Sequence, residues 1–452
     1  MKLSMNRRRF LGHAGIALAG STQLSTFARV AHAAPGGDYC AMVCILLAGG
    51  ADSFNILTPY DDDRYTEYAT TRSDLALPQE DLLPLSFVGG AGAEFAVHPG
   101  MSEVQSLFDS GDLAFLANIG PLAEPTSRAA YDAGTVELPL GLFSHSDQIA
   151  VWQTATAGSR VNTGFAGRVA DILEPRIATG PVSMNISMSG TSLFQTGEQI
   201  TGYVMDPGEG VRTVAGYGDG SETLVPIIDN LLAIDYGDPF RSTYANGLRD
   251  AIDSGAELSS ALTGAPPLST AFSDTDFSTA MRQIANVISV RGALGVERQT
   301  FFVTVGGWDH HDEVLDNQAR MLPGISQGLA EFHAALTELG VLDQVTTFSI
   351  SDFGRTLTSN GRGSDHGWGG NQFVMGGGVN GGQIFGDYPS LALGTDLDLG
   401  RGRFLPTMST DELYGDLALW FGVAPEELST VLPNIGRFYD TSGGGSPLGL
   451  FA

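Results

Sequence analysis

His310, His311 and His366 lie within 57 positions of one another, beside Asp309, Asp312 and Asp365. Neutral imidazole and carboxylate together are ligands for zinc, manganese or iron, whereas a set of oxygen donors alone suits magnesium or calcium. The only cysteines, Cys40 and Cys44, are far away in sequence, so a zinc ribbon is excluded. The candidate metal ligands are Asp52, Asp309, His311, Asp352 and His366. His310 is read as structural, because neighbours on an extended segment point in opposite directions. His333, at the edge of an apolar helical stripe, is read the same way. Asp365 is either a ligand or the cap of its own turn.

Two further groups could act on a substrate. Ser144-His145-Ser146-Asp147 opens a helix through Trp152. Ser144 can be its N-cap, paired with Asp147, or a hydroxyl nucleophile at a helix N-terminus, where free N–H groups favour an anion. Arg355 can clamp an oxyanion through two parallel hydrogen bonds or pair with a surface acid. Ser144 and Arg355 are therefore the candidate catalytic residues.

These residues need a frame. Ala41 to Leu47 is an unbroken apolar run that leads to Gly49-Gly50-Ala51-Asp52, as a central parallel strand covered on both faces would. Thr300 to Val305 leads to Gly306-Gly307-Trp308-Asp309, and Gln344 to Ile350 to Ser351-Asp352. Between the last two, Leu322, Ile325, Leu329, Phe332, Leu336 and Leu339 recur at helical spacing. The pattern is strand, helix, strand with polar exits, and in parallel sheets ligands collect at the carboxyl ends of strands. The fold class is α/β, a mainly parallel sheet sandwiched by helices. Residues 180–217 alternate Ser, Thr, Val and Met, which predicts an antiparallel ribbon within a β-rich insertion or cap over 180–278. Leu258 to Pro267 reads as a flexible joint and 441–452 as a loose tail. The two cysteines, four apart on one strand, stand about 13 Å from each other, beyond disulfide reach, and are read as buried strand residues.

Asn6-Arg7-Arg8-Arg9-Phe10-Leu11, a mildly apolar stretch and Ala31-His32-Ala33 form a twin-arginine signal over 1–33, with cleavage near Ala33. The expected location is periplasmic or secreted, and the translocase is a partner during export. The apolar stretch is about half the length of a spanning helix, so no stable membrane insertion is expected. The first 33 residues hold five of the 23 basic residues and none of the 51 acids, which leaves a net charge of −33 on the mature chain. Such a surface repels nucleic acid. Lys2 is the only lysine, so the mature chain has no Schiff-base or lysine-dependent phosphate chemistry.

Gly49-Gly50-Ala51-Asp52 with Asn55, Ser144-His145-x-Asp147 with Trp152, Gly306-Gly307-x-Asp309-x-His311, Ser351-Asp352-Phe353-Gly354-Arg355-Thr356 and Asp365-His366-Gly367 occur here in order. In this the chain resembles the bacterial domain-of-unknown-function 1501 family, grouped with the alkaline phosphatase-like, or sulfatase-like, superfamily. The resemblance covers almost the whole mature chain. It implies an alkaline phosphatase-like fold and a metal-dependent hydrolase of phosphate or sulfate esters, acting on a small-molecule or glycan ester. It also implies roles: Asp52 as first-strand metal ligand, Ser144 at the nucleophile position, Asp309 and His311 on one metal, Asp352 on a second, and His366 as the last ligand. Phe353 stands where many members carry histidine. That leaves the second cation with oxygen donors alone, so one tightly held zinc or manganese and a weaker magnesium or calcium are expected. The alternative is an exported, metal-stabilised binding or assembly protein without turnover.

Overall fold

The computed structural model describes residues 39–451 apart from 90–91, 178–181, 213, 215–216 and 218–222. The signal segment, its cleavage position and parts of the 180–278 region lie outside the described residues. β1 (Cys40–Leu47) is buried at every position. Its side chains alternate between two cores: Ala41, Val43, Ile45 and Leu47 face one, and Cys40, Met42, Cys44 and Leu46 the other. This follows from the two-residue period of a strand. The first core is closed by the helices Ser102–Asp109, Asp276–Ser289 and Val314–Glu338. Phe165–Leu173 and Thr410–Phe421 close the second. The expected sheet sandwiched by helices is therefore observed.

A small antiparallel sheet precedes most of the main one: β2 (Leu57–Pro59), β3 (Leu83–Val88) and β4 (Glu94–Val97) pair in the order β2-β4-β3. The main sheet continues from β1 with β5 (Leu113–Gly120), β6 (Asn185–Ser187), β7 (Tyr203–Val204), β8 (Arg298–Val305), β9 (Val345–Ser351), β10 (Gly370–Gly376) and β11 (Ile384–Phe385). Their order is β11-β5-β10-β9-β1-β8-β6-β7, with β12 (Met408–Ser409) beside β5. β1 is parallel to both β8 and β9. Only β10 runs against its neighbours. Its start consequently lies at the same edge as the carboxyl ends of β1, β8 and β9.

Three expectations are corrected. Among the described residues of 180–217 the strands are not an antiparallel ribbon: β6 and β7 are parallel to each other, and β6 is parallel to β8, so they extend the main sheet, with one antiparallel bridge at Asp206–Gly210. Most of the region after them is helical, and the separate small sheet lies at 57–97 instead. Leu258 to Gly264 is no joint but the end of the helix Pro239–Gly264, held because the Leu258 side chain is fully buried in the core. The tail is docked. Leu448 and Leu450 donate their N–H groups to Asp416 at 2.9 and 2.7 Å, and the Phe451 ring stacks on Trp420 at 5.2 Å. Cys40 and Cys44 are buried, as expected. No helix among the described residues is long and apolar enough to cross a membrane.

Candidate metal centre

The exits of β1 and β8 cross in close contact. Gly49 has φ +124°, and a Cβ there would stand 2.4 Å from the Asp309 backbone nitrogen. Only glycine permits both the conformation and the approach. This crossing places Asp309 over the sheet edge. The Asp365-His366 loop joins it just before β10, and the helix His145–Thr154 brings its first residue to the same place.

Three imidazoles converge there on one carboxylate. His311 Nε2 is 3.1 Å and His366 Nε2 3.6 Å from Asp309 Oδ1, and His145 Nε2 is 3.4 Å from Asp309 Oδ2. His311 Nε2 and His366 Nε2 stand 3.0 Å apart. Each opposite ring nitrogen has a fixed partner. His145 Nδ1 meets Asp352 Oδ2 at 2.6 Å, His311 Nδ1 meets Asp365 Oδ1 at 3.1 Å, and His366 Nδ1 meets the Phe143 carbonyl at 2.8 Å. A carbonyl only accepts, so His366 carries its proton on Nδ1 and turns a lone pair inward. Carboxylate partners favour the same tautomer in His145 and His311.

Burial would raise the Asp309 carboxyl, but Arg355 and the His311 and His145 rings outweigh it and hold it below the ordinary range. Burial lowers His366, and the charges around it add to this against the Phe143 hydrogen bond. Burial also opposes ionisation of Asp365, but bonds from Asn360, Arg401 and His311 prevail and its pKa falls to about 2. Asp309 and Asp365 are thus held ionised and His366 neutral, the protonation state metal ligands require.

The donor set passes a geometric test for a metal. Ligand atoms about 2.1 Å from zinc in a tetrahedron stand roughly 3.4 Å from one another. The distances from Asp309 oxygens to the three Nε2 atoms run from 3.1 to 3.6 Å. His145, Asp309 and His366 each offer a ligand atom within 4.8 Å of the others. His311 Nε2 and His366 Nε2, 3.0 Å apart, are close enough to share a proton or to bind one cation.

Of the residues expected from sequence, Asp309, His311 and His366 are brought together, while Asp52 and Asp352 are engaged by other protein groups. Asp52 is fully buried, with Oδ2 bonded to Arg72 Nη2 at 3.0 Å and Ser364 Oγ at 2.7 Å and Oδ1 without a hydrogen-bond partner among the described residues. Asp352 accepts from Gly49 N at 2.9 Å and holds His145. Arg355 is neither an open clamp nor a surface partner. It is buried, bonds the carbonyls of Gly50 and Ser364 at 2.6 and 2.8 Å, and uses its remaining nitrogen on Gly49 and Asp309. Ser144 precedes the helix without capping it through its side chain. Its hydroxyl stands 3.3 Å from Ser146 Oγ and also interacts with Asp147, which pairs with Arg160. Phe353 packs its ring 4.8 Å from His145 and 4.5 Å from His366, walling the centre. His310 is buried with neither ring nitrogen hydrogen-bonded, and lies outside the cluster of ring nitrogens. The residue that sequence reasoning missed is His145. Its signal was present in Ser144-His145-x-Asp147, but the serine and the helix cap drew the attention.

A family model described as "Protein of unknown function (DUF1501)" matches residues 246–405. Over that span the chain matches DUF1501. The DUF1501 match includes Asp309, His311, Asp352, Arg355 and His366, and leaves out Asp52 and His145. No curated protein matches the chain. Among solved structures it is similar to Ps i-CgsB (11% identity, 90% of this chain and 78% of that one, TM-score 0.36). It is also similar to the PsFucS1 sulfatase from Pseudoalteromonas sp. (11% identity, 93% and 72%, TM-score 0.34). A third is a TAB5 alkaline phosphatase mutant (9% identity, 78% and 95%, TM-score 0.29).

Proposed function

We propose that this protein is an exported hydrolase of phosphate or sulfate esters that uses one divalent metal, zinc or manganese, held by His145, Asp309, His311 and His366. The observation that carries the reading is the convergence of three Nε2 atoms on one half-exposed carboxylate, each ring fixed from behind by an acceptor. Such outer partners orient ligands and raise their basicity. A cation in this set would supply Lewis acidity toward an ester oxygen and lower the pKa of a water to about 7. The chain's own residues do the rest. Asp352 and Asp365 hold the tautomers of His145 and His311. Phe353 keeps water from one side of the rings. Ser144, partly exposed and directly before His145, presents the nucleophilic hydroxyl at the helix N-terminus. The substrate is a small-molecule or glycan ester outside the cytoplasm, and the Arg7-Arg8 pair motivates export through the twin-arginine translocase.

The test is a panel of aryl phosphates and aryl sulfates assayed with zinc and with manganese. Turnover is expected, and Ser144→Ala should reduce it by at least about a thousandfold with metal content unchanged. Turnover retained in Ser144→Ala would assign the nucleophile to water. Metal-dependent thermal stabilisation with no turnover on either ester class would overturn the hydrolase in favour of a metal-stabilised binding or assembly protein.

A further inference from the structure

A net charge of −33 on the mature chain repels an anionic ester. If the hydrolase reading holds, the centre needs local positive charge. Arg355 does not supply it, since Nε, Nη1 and Nη2 all have protein partners. Two other arginines stand nearby on one braced loop. Asp398, itself buried, accepts the backbone N–H of Gly400 at 2.7 Å and of Gly402 at 2.8 Å on Oδ1, and that of Gly394 at 2.8 Å on Oδ2. Between the two braced glycines, Arg401 is held at φ +64°, in the left-handed region. If this position served only the turn, a glycine would serve it with less strain. A side chain kept there at a conformational cost points to a role for its guanidinium.

Both guanidinium groups reach the centre's imidazoles through a single residue. Arg401 Nη1 bonds Asp365 Oδ2 at 2.6 Å, and Asp365 is the partner of His311. Arg403 lies 5.3 Å over the Phe143 ring, and the Phe143 carbonyl is the partner of His366. Among the described residues, Arg401 Nε and Nη2 and both Nη atoms of Arg403 have no hydrogen-bond partner. The side chains of Arg401, Asp365, His311 and Asp309 are 43, 32, 45 and 48% exposed, a solvent-facing strip that leads from guanidinium to centre.

We infer that Arg401 and Arg403 form the anion-recognising edge of the centre and bind the tetrahedral oxyanion group, phosphate or sulfate, of the ester. The inference rests on the hydrolase reading. It assigns to this loop the task that the sequence pattern suggested for Arg355.

Isothermal titration of the metal-loaded mature protein with inorganic phosphate, and separately with inorganic sulfate, tests it without turnover. Wild type should bind at least one of the two, and the tighter anion identifies the ester class. Arg401→Gly removes the guanidinium and suits the left-handed backbone, so melting temperature and metal content should hold while affinity falls about tenfold. Arg403→Gln should weaken binding in the same direction. Wild-type anion affinity in both variants would overturn the arginine assignment alone. No binding of either anion by metal-loaded wild type would overturn the assignment and the hydrolase reading together.

Discussion

Replacing Asp352 by asparagine tests the centre where the structure makes its firmest claim. The side chain is 1% exposed, with Oδ1 accepting from Gly49 N at 2.9 Å and Oδ2 facing His145 Nδ1 at 2.6 Å. Both partners are donors, and asparagine offers one acceptor oxygen and one donating NH2. If the oxygen stays on His145, the NH2 meets the Gly49 N–H and a buried donor is left unmade, at a cost of about 1–3 kcal/mol. If the amide turns over, the NH2 faces His145 Nδ1, which must then accept. The imidazole proton moves to Nε2, and that nitrogen is lost as a ligand. Loss of such an outer partner weakens metal binding by roughly 10–100-fold, or about 1.4–2.7 kcal/mol. The assay is metal content after dialysis against graded chelator, read by mass spectrometry, with guanidinium unfolding in parallel. Asp365→Asn is the comparison. Its side chain is 32% exposed, so water can complete the hydrogen bonds and the loss should be smaller. An Asp352→Asn protein that kept wild-type metal affinity while losing stability would refute the reasoning, because Asp352 would then support only the loop.

Two other outcomes separate structural from chemical carboxylates. Asp52→Asn leaves Arg72 buried opposite a neutral amide, so stability should drop by about 3–5 kcal/mol in chemical denaturation with metal content intact. Lost metal at unchanged stability would restore Asp52 as a ligand. Asp411, buried in the first turn of the helix Thr410–Phe421, is raised to about 7 chiefly by burial, with Ser409 and Arg168 only partly offsetting it. Its folded pKa lies above the ordinary 3.8, so the native state holds the proton more tightly. The stability it contributes is complete below about pH 4 and is lost as pH rises through about 7. Asp411→Asn should flatten the fall in melting temperature across that window, and an unchanged slope would show that another group titrates.

The frame was legible because its signals are local. An unbroken apolar run marks β1, helical spacing marks Val314–Glu338, and polar glycine-rich exits mark the strand ends that carry Asp309 and Asp352. The centre was only partly legible because a ligand is defined by what its other atoms touch. Asp52 and Asp309 look alike in sequence, as carboxylates after a Gly-Gly exit. Each meets an arginine, Arg72 and Arg355, and they differ because Asp52 is fully buried while Asp309 is half exposed and faces three imidazoles. Asp352 followed the same rule, since its role was decided by His145, 207 positions earlier. The 441–452 tail misled for a related reason: its glycines and serines are local signals of disorder, but Asp416 on a distant helix captures it.

For the proposed centre, the same long-range partners favour one metal over two. A buried carboxylate needs a compensating charge, and a second cation would provide it to Asp52 and Asp352. Here Arg72 pairs with Asp52 Oδ2 at 3.0 Å, and Asp352 is bound to a backbone N–H and an imidazole proton. Arg355 adds a fixed positive charge on Asp309 Oδ1. Each of these groups raises the electrostatic cost of a further cation beside the first. Phe353, directly after Asp352, offers no ligand atom and packs against two of the imidazoles. The arginines and this ring belong to one arrangement, in which charge that a second metal would bring is already built into the protein.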